Sequence, residues 1–237
     1  MQARPANKLK LNDTPYFLRG WCIAEVQWTG TRKKVDGFAP MSPSDFRARV
    51  ERGEQGLADG LFLKFTHRSD AELVMQLQEK VWVEHAVKRT ELGAMRLPQS
   101  ELLVLADALQ HFVNLRRLVL QQCQSFAKDG AAALAHGMTF LRYIEDFGVQ
   151  ETEIDDDCVA ALAQAFRACS SLTRIWLTRS RIGDAGAAAL GAAFVDCKNL
   201  VDFDLSGNNI GDVGTAALDA ARQQTRKNLQ RRIREAG

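Results

Sequence analysis

The chain has 237 residues, 46% of them apolar and 25% charged, values of an ordinary globular protein and far from those of a disordered one. Thirty-one basic residues against 29 acidic leave a net charge of +2, so no global field steers the molecule toward nucleic acid or an anionic membrane. A chain of this size hides roughly 70 to 75% of the surface its unfolded form exposes, so its core needs neither disulfides nor metals.

Residues 1–20 carry four basic side chains and one acid, Asp13, with no apolar run of the kind that forms a secretory signal. The five cysteines, Cys22, Cys123, Cys158, Cys169 and Cys197, are odd in number and lack the close pairing of a disulfide framework or zinc site, so they are expected to be reduced. A cytoplasmic location is expected, with organellar import left open. No stretch of 18 apolar residues exists, so no membrane-spanning helix is expected.

Trp21-Cys22-Ile23-Ala24-Glu25, within residues 16–25, resembles the Trp-Cys-x-x-Glu segment of Toll/interleukin-receptor-like domains. That resemblance implies Glu25 as the catalytic carboxylate of an NAD-cleaving enzyme, with Trp21 and Cys22 as its motif partners. Only 15 residues precede Tyr16, too few for that fold's first strand and nucleotide loop, so no activity is expected. Read from the residues alone, Phe17, Trp21, Ala24 and Trp28 form one stripe of a core helix.

Ser42-Pro43-Ser44-Asp45 is a helix-start signal with proline in the first turn, and Gly53 is expected to end that helix. Residues 61–65 read as a strand. Ser69-Asp70-Ala71-Glu72 reads as a capping box opening a helix of about 20 residues. Leu73, Val74, Leu77, Val81 and Trp82 are its expected packing stripe, placed to cap a stack of repeats.

The repeats announce themselves in the second half. Ile182-Gly183-Asp184-Ala185-Gly186 returns 28 residues later as Ile210-Gly211-Asp212-Val213-Gly214. At the same offset Leu172-x-x-Ile175-x-Leu177 returns as Leu200-x-x-Phe203-x-Leu205. An L-x-x-L-x-L frame extends backward to starts at 141, 115 and 92, giving five frames spaced 23, 26, 31 and 28 residues apart. Each alternating segment makes a short strand with one apolar face, and each following small-residue segment makes a helix that returns the chain. A single unit cannot bury its own face, so the units must stack, with at least about three needed for stability.

These frames resemble the leucine-rich repeat family in its long, ribonuclease-inhibitor-like subtype, with Asn208 and Cys123 at the turn position and Ser180 and Val149 departing from it. Asp146 at a buried position points to a bulge there, with Phe147 turning inward. Together with residues 63–70, the Trp21 segment also resembles protist proteins that end in such repeats. The expected fold is α/β: a leucine-rich-repeat solenoid with parallel strands inside and helices outside. Residues 1–91 form an atypical α/β N-terminal cap, 92–218 the repeats, and 219–237 a basic capping helix.

Alternation places Arg117, Val119, Gln121, Tyr143, Glu145, Arg174, Trp176, Thr178, Asp202, Asp204 and Ser206 on the concave face. A tryptophan beside tyrosine and arginine has the composition of a binding hot spot, which points to a protein partner and a noncatalytic role as scaffold or assembly subunit. Seven carboxylates between Glu145 and Asp157 read as helix-start acids rather than a calcium loop, because 155, 156 and 157 are consecutive. The histidines are not at metal-ligand spacing and no phosphate-binding loop is present, so neither metal nor cofactor is expected. Arg226, Lys227, Arg231 and Arg232 give the last helix a basic surface open to an acidic protein, RNA or anionic lipid, with Ala217, Ala221 and Leu229 turned toward the stack.

Overall fold

The computed structural model describes residues 34–54, 63, 65, 68–124 and 126–236. Residues 16–25, with Trp21, Cys22 and Glu25, lie outside the described residues, as do 61, 62 and 64. Leu63 and Phe65, the described members of the strand expected over 61–65, belong to no strand.

Among the described residues the elements run β1 (Lys34–Asp36), α1 (Pro43–Glu54), α2 (Arg68–Ala86), β2 (Glu91–Met95), α3 (Gln99–Ala108), β3 (Arg117–Gln121), α4 (Lys128–Met138), β4 (Asp146–Gln150), α5 (Asp156–Ala168), β5 (Arg174–Thr178), α6 (Asp184–Asp196), β6 (Asp202–Asp204) and α7 (Asp212–Ala236). The six strands form one parallel sheet in sequence order. Strand and helix alternate from β2 onward, so each strand lies beside its predecessor and each helix packs on the previous one, the arrangement of a solenoid.

Register corrects the frames. Leu92 pairs with Leu118, Leu118 with Phe147, Phe147 with Ile175 and Ile175 with Phe203. The true frame starts are therefore 89, 115, 144, 172 and 200, spaced 26, 29, 28 and 28, and the irregularity disappears. Leu141 is not a frame start: it fills the buried slot three residues ahead of one, the slot held by Phe112, Cys169 and Cys197 in neighbouring repeats. No bulge is needed, since Phe147 points inward simply because it is the strand's first core residue. The turn position after β4 is Thr152, and Val149 is a strand residue.

The core is a ladder of identical slots. Phe147, Phe166, Phe194 and Phe203 stack edge-on or tilted along it, with ring centroids 5.4, 6.1 and 4.9 Å apart. Small residues let the helices approach closely: a Cβ built on Gly191 would lie 2.4 Å from the Ala217 carbonyl oxygen, and one on Gly137 equally close to that of Ala106.

The turn column is polar and self-satisfying. Asn208 Oδ1 accepts from Ser180 N at 3.1 Å and Ile182 N at 3.3 Å, while its amide donates to the carbonyls of Leu177 and Leu205. Thr152 accepts from Cys123 N in the same way. Helix starts are tied between repeats: Asp156 Oδ1 accepts from Gly183 N, and Asp184 Oδ1 from Gly211 N and Gly214 N. Gly186 and Gly214 are small for that reason, as an added Cβ would sit 2.5 Å from the carboxylate of the preceding repeat.

At the N-terminal end, Ser42 caps α1 by accepting from Asp45 N at 3.1 Å. The helix runs one residue past Gly53. Helix α2 begins at Arg68, one residue before the expected cap at Ser69. Its buried stripe is Ala71, Val74, Gln78, Trp82 and Ala86, whereas Leu73 faces solvent. Trp82 packs on His111 and Phe112, and Arg49 of α1 pairs with the buried Glu101 of α3 at 3.1 Å, so both helices are held to the first repeat.

At the other end, α7 is continuous through Ala236, twice the length of the other repeat helices. Asn228 is buried and its amide donates to the carbonyls of Cys197 and Leu200, while Leu229 is 45% exposed, opposite to its expected placement. Arg231 donates to Lys198 O at 2.8 Å.

Candidate functional site

Side chains that alternate with the core residues make three rows across the concave face. The first row runs Glu91, Arg117, Asp146, Arg174, Asp202, the second Lys34, Gly93, Val119, Gly148, Trp176, Asp204, and the third Asp36, Met95, Gln121, Gln150, Thr178. Six of the expected face residues, Arg117, Val119, Gln121, Arg174, Trp176 and Thr178, lie on this sheet as expected, and so do Asp202 and Asp204, both exposed. Tyr143 and Glu145 do not. They precede β4, because the frame there starts at 144 rather than 141. Tyr143 stands half-exposed on the loop, and Glu145 pairs with Arg116. Their places on the face belong to Asp146 and Gly148.

Trp176 lies across Gly148: a Cβ on that glycine would touch the indole at 3.4 Å and the Val119 methyls at 3.5 Å. The ring is thus supported from beneath and half-buried, with part of it open to solvent. Two guanidiniums flank it, Arg117 at 5.6 Å and Arg174 at 5.5 Å from the ring centroid. Arg174 makes a bidentate fork on Asp146, with Nε and Nη2 at 2.8 and 2.7 Å from the two carboxylate oxygens. Those bonds stabilise its charged form and raise its pKa above the usual arginine value.

Next to Trp176 is a cleft of about 370 Å³ reaching across β1 to β5, lined among others by Lys34, Gly93, Met95, Arg117, Val119 and Gln150. Lys34, Met95 and Gln150 were missed from the sequence. Aligning Phe147-x-Val149 with Leu118-x-Leu120 would have found Gln150, since the residue after each second core position closes the third row.

The acids of residues 145–157 bind neighbouring repeats. Asp146, Glu151 and Glu153 each meet an arginine 28 residues on, Arg174, Arg179 and Arg181. Gln122 first and Arg179 second hold the Glu151 carboxyl below the usual range. Asp155 caps α5 by accepting from Cys158 N at 2.9 Å. Among the described residues, no group of three or more potential metal ligands converges, and no helix is long and apolar enough to cross a membrane.

Residues 168–191 and 196–218 match the Leucine Rich repeat family model, the two segments bracketing β5–α6 and β6 with the start of α7. The stack is a leucine-rich-repeat solenoid. Protein NLRC5 of Ictalurus punctatus is 30% identical over 76 residues, 32% of this chain, which spans 4% of that protein's length. The crystal structure of an internalin (inlF) from Listeria monocytogenes covers 59% of this chain and 54% of its own at 14% identity and a TM-score of 0.27.

The four described cysteines are buried and free. Burial pushes Cys169 up to about 12 and Cys197 up to about 11, so both thiols stay protonated across the neutral range. Native protein at pH 8 is therefore expected to resist iodoacetamide at Cys169 and Cys197, with full labelling only after denaturation. Mass spectrometry of the two peptides checks this, and rapid native labelling would contradict the burial.

Proposed function

We propose that this chain is a noncatalytic protein-interaction module, a scaffold or subunit of a larger assembly, that engages its partner through the concave face of a ribonuclease-inhibitor-like repeat stack. Trp176 carries the reading. A half-buried indole resting against a glycine and flanked by two arginines has the composition of an interface hot spot, and leucine-rich-repeat solenoids offer extended concave surfaces of this kind. In this reading residues 1–91 form the N-terminal cap and 92–218 the repeats. Residues 219–237 close the other end, where Arg226, Lys227 and Arg232 face solvent as an auxiliary surface for an acidic protein, RNA or anionic lipid. The protein works in a reducing compartment, which suits its unpaired buried thiols.

Cross-linking in native extract followed by mass spectrometry tests the proposal. Cross-links to a partner are expected to cluster at Lys34 and at sites around the concave face, and Trp176→Ala is expected to weaken partner capture about tenfold or more while leaving the unfolding midpoint within a few degrees. Partner capture unchanged in that variant, or cross-links confined to the convex helices, would reject the concave face as the site.

A further inference from the structure

Row one of the concave face alternates in charge: Glu91, Arg117, Asp146, Arg174, Asp202. Asp146 sits between two arginines that stack on the same indole, yet both of its oxygens are committed to Arg174. Arg117 is exposed and has no carboxylate within 4.0 Å among the described residues. Its guanidinium carbon lies over the Trp176 ring, 5.6 Å from the centroid, and the side chain lines the cleft, which Lys34 also lines as an exposed cation.

The two arginines are therefore the same device in two states. A guanidinium stacked on an aromatic face is held in one plane, so little freedom remains to be lost when its fork meets a carboxylate. Arg174 shows the engaged form, and Arg117 the form with its carboxylate missing. Val119 and Met95 beside it supply apolar wall.

Resting on the concave-face reading, we propose that Arg117 is the receptor for an acidic side chain of the partner protein, an Asp or Glu lying beside an aliphatic residue that enters the cleft against Val119, Met95 and Trp176. Lys34 adds a second positive charge on the far side of Gly93. Charge complementarity selects this occupant, since two exposed cations line a cleft whose one carboxylate, Glu91, is half-buried.

An array of C-terminally amidated heptapeptides tests it, using the full-length chain as wild type, Arg117→Gln and Trp176→Ala. Each peptide with Asp or Glu beside Leu, Ile or Val is matched by one with Asn or Gln at that place, by one neutral with a free C-terminus, and by one with phosphoserine. Wild type is expected to favour the acidic peptides over their amide counterparts by about tenfold or more. That preference is expected to vanish in Arg117→Gln, whose exposed position leaves thermal unfolding unchanged. A preference that survives in Arg117→Gln overturns the assignment, as does binding restricted to free C-termini or phosphoserine. Peptides held by wild type without acid preference and lost in Trp176→Ala overturn it while leaving the concave-face reading intact. Absence of all binding, or binding indifferent to Trp176→Ala, overturns both.

Discussion

Phe166→Ala is expected to destabilise the protein by about 3–5 kcal/mol, the cost of emptying a fully buried aromatic slot. Phe166 lies in the middle of the aromatic ladder, with Phe147 at 5.4 Å and Phe194 at 6.1 Å. Its ring spans two repeat interfaces, so truncation opens a cavity that neither neighbour can fill without leaving its own slot. In a solenoid, stability is the sum of repeats and their nearest-neighbour interfaces, so a lesion here is expected to uncouple the two ends. Urea unfolding followed by circular dichroism should show a lower midpoint and a broadened or split transition. Phe140→Ala supplies the control, since that ring is 45% exposed on the convex side. If the two variants unfold alike, the ladder does not hold the stack together.

Gly191→Leu is expected to be comparably severe, by overfilling rather than emptying. A Cβ alone at 191 meets the Ala217 carbonyl oxygen at 2.4 Å and its carbon at 3.1 Å, and both are backbone atoms of α7 that cannot rotate aside. Helices α6 and α7 must then separate, at a cost of about 3 kcal/mol, the upper part of the usual range for overpacking. The expected observation is poor soluble yield or an unfolding midpoint lowered by about 6 to 12 °C. Ala188→Leu, exposed on the same helix, should change little. Equal behaviour of the two would show that α6 and α7 tolerate a wider spacing than the glycine implies.

The 28-residue echo made β5, β6 and the helices after them readable, because two apolar patterns at one offset admit a single register. Trp176, Arg174, Asp202 and Asp204 were placed on the concave side for that reason. The middle repeat misled. Leu141 and Ile144 both fit a frame start, and a start at 141 puts Asp146 on a core position, which points to a bulge. Aligning Phe147 with Leu118 and Ile175 would have removed the difficulty and put Asp146 on the concave side of the sheet, buried beneath Arg174, in place of Glu145. A second signal was also in plain view: Asp146, Glu151 and Glu153 are each followed 28 residues later by an arginine, which in a stacked sheet means lateral neighbours. The buried side of α2 was harder to read. Leu73 satisfies the helical period yet is 50% exposed, while Gln78 is drawn in and donates to the Met41 carbonyl. Asn228 likewise replaces Leu229 as the buried residue of α7, because the buried carbonyls of Cys197 and Leu200 reward an amide donor more than a methyl group.

Strand β6 has only three residues, and its outward-facing positions are both aspartates. Asp204 also accepts from Ser206 N at 2.8 Å, so one of the amides a neighbouring strand would seek is already engaged. Another sheet laid along that margin would bring its own backbone up to two carboxylates on a strand too brief to reward the approach. Among the described residues the ribbon thus ends, beyond β6, on a short margin whose exposed carboxylates disfavour the addition of another strand.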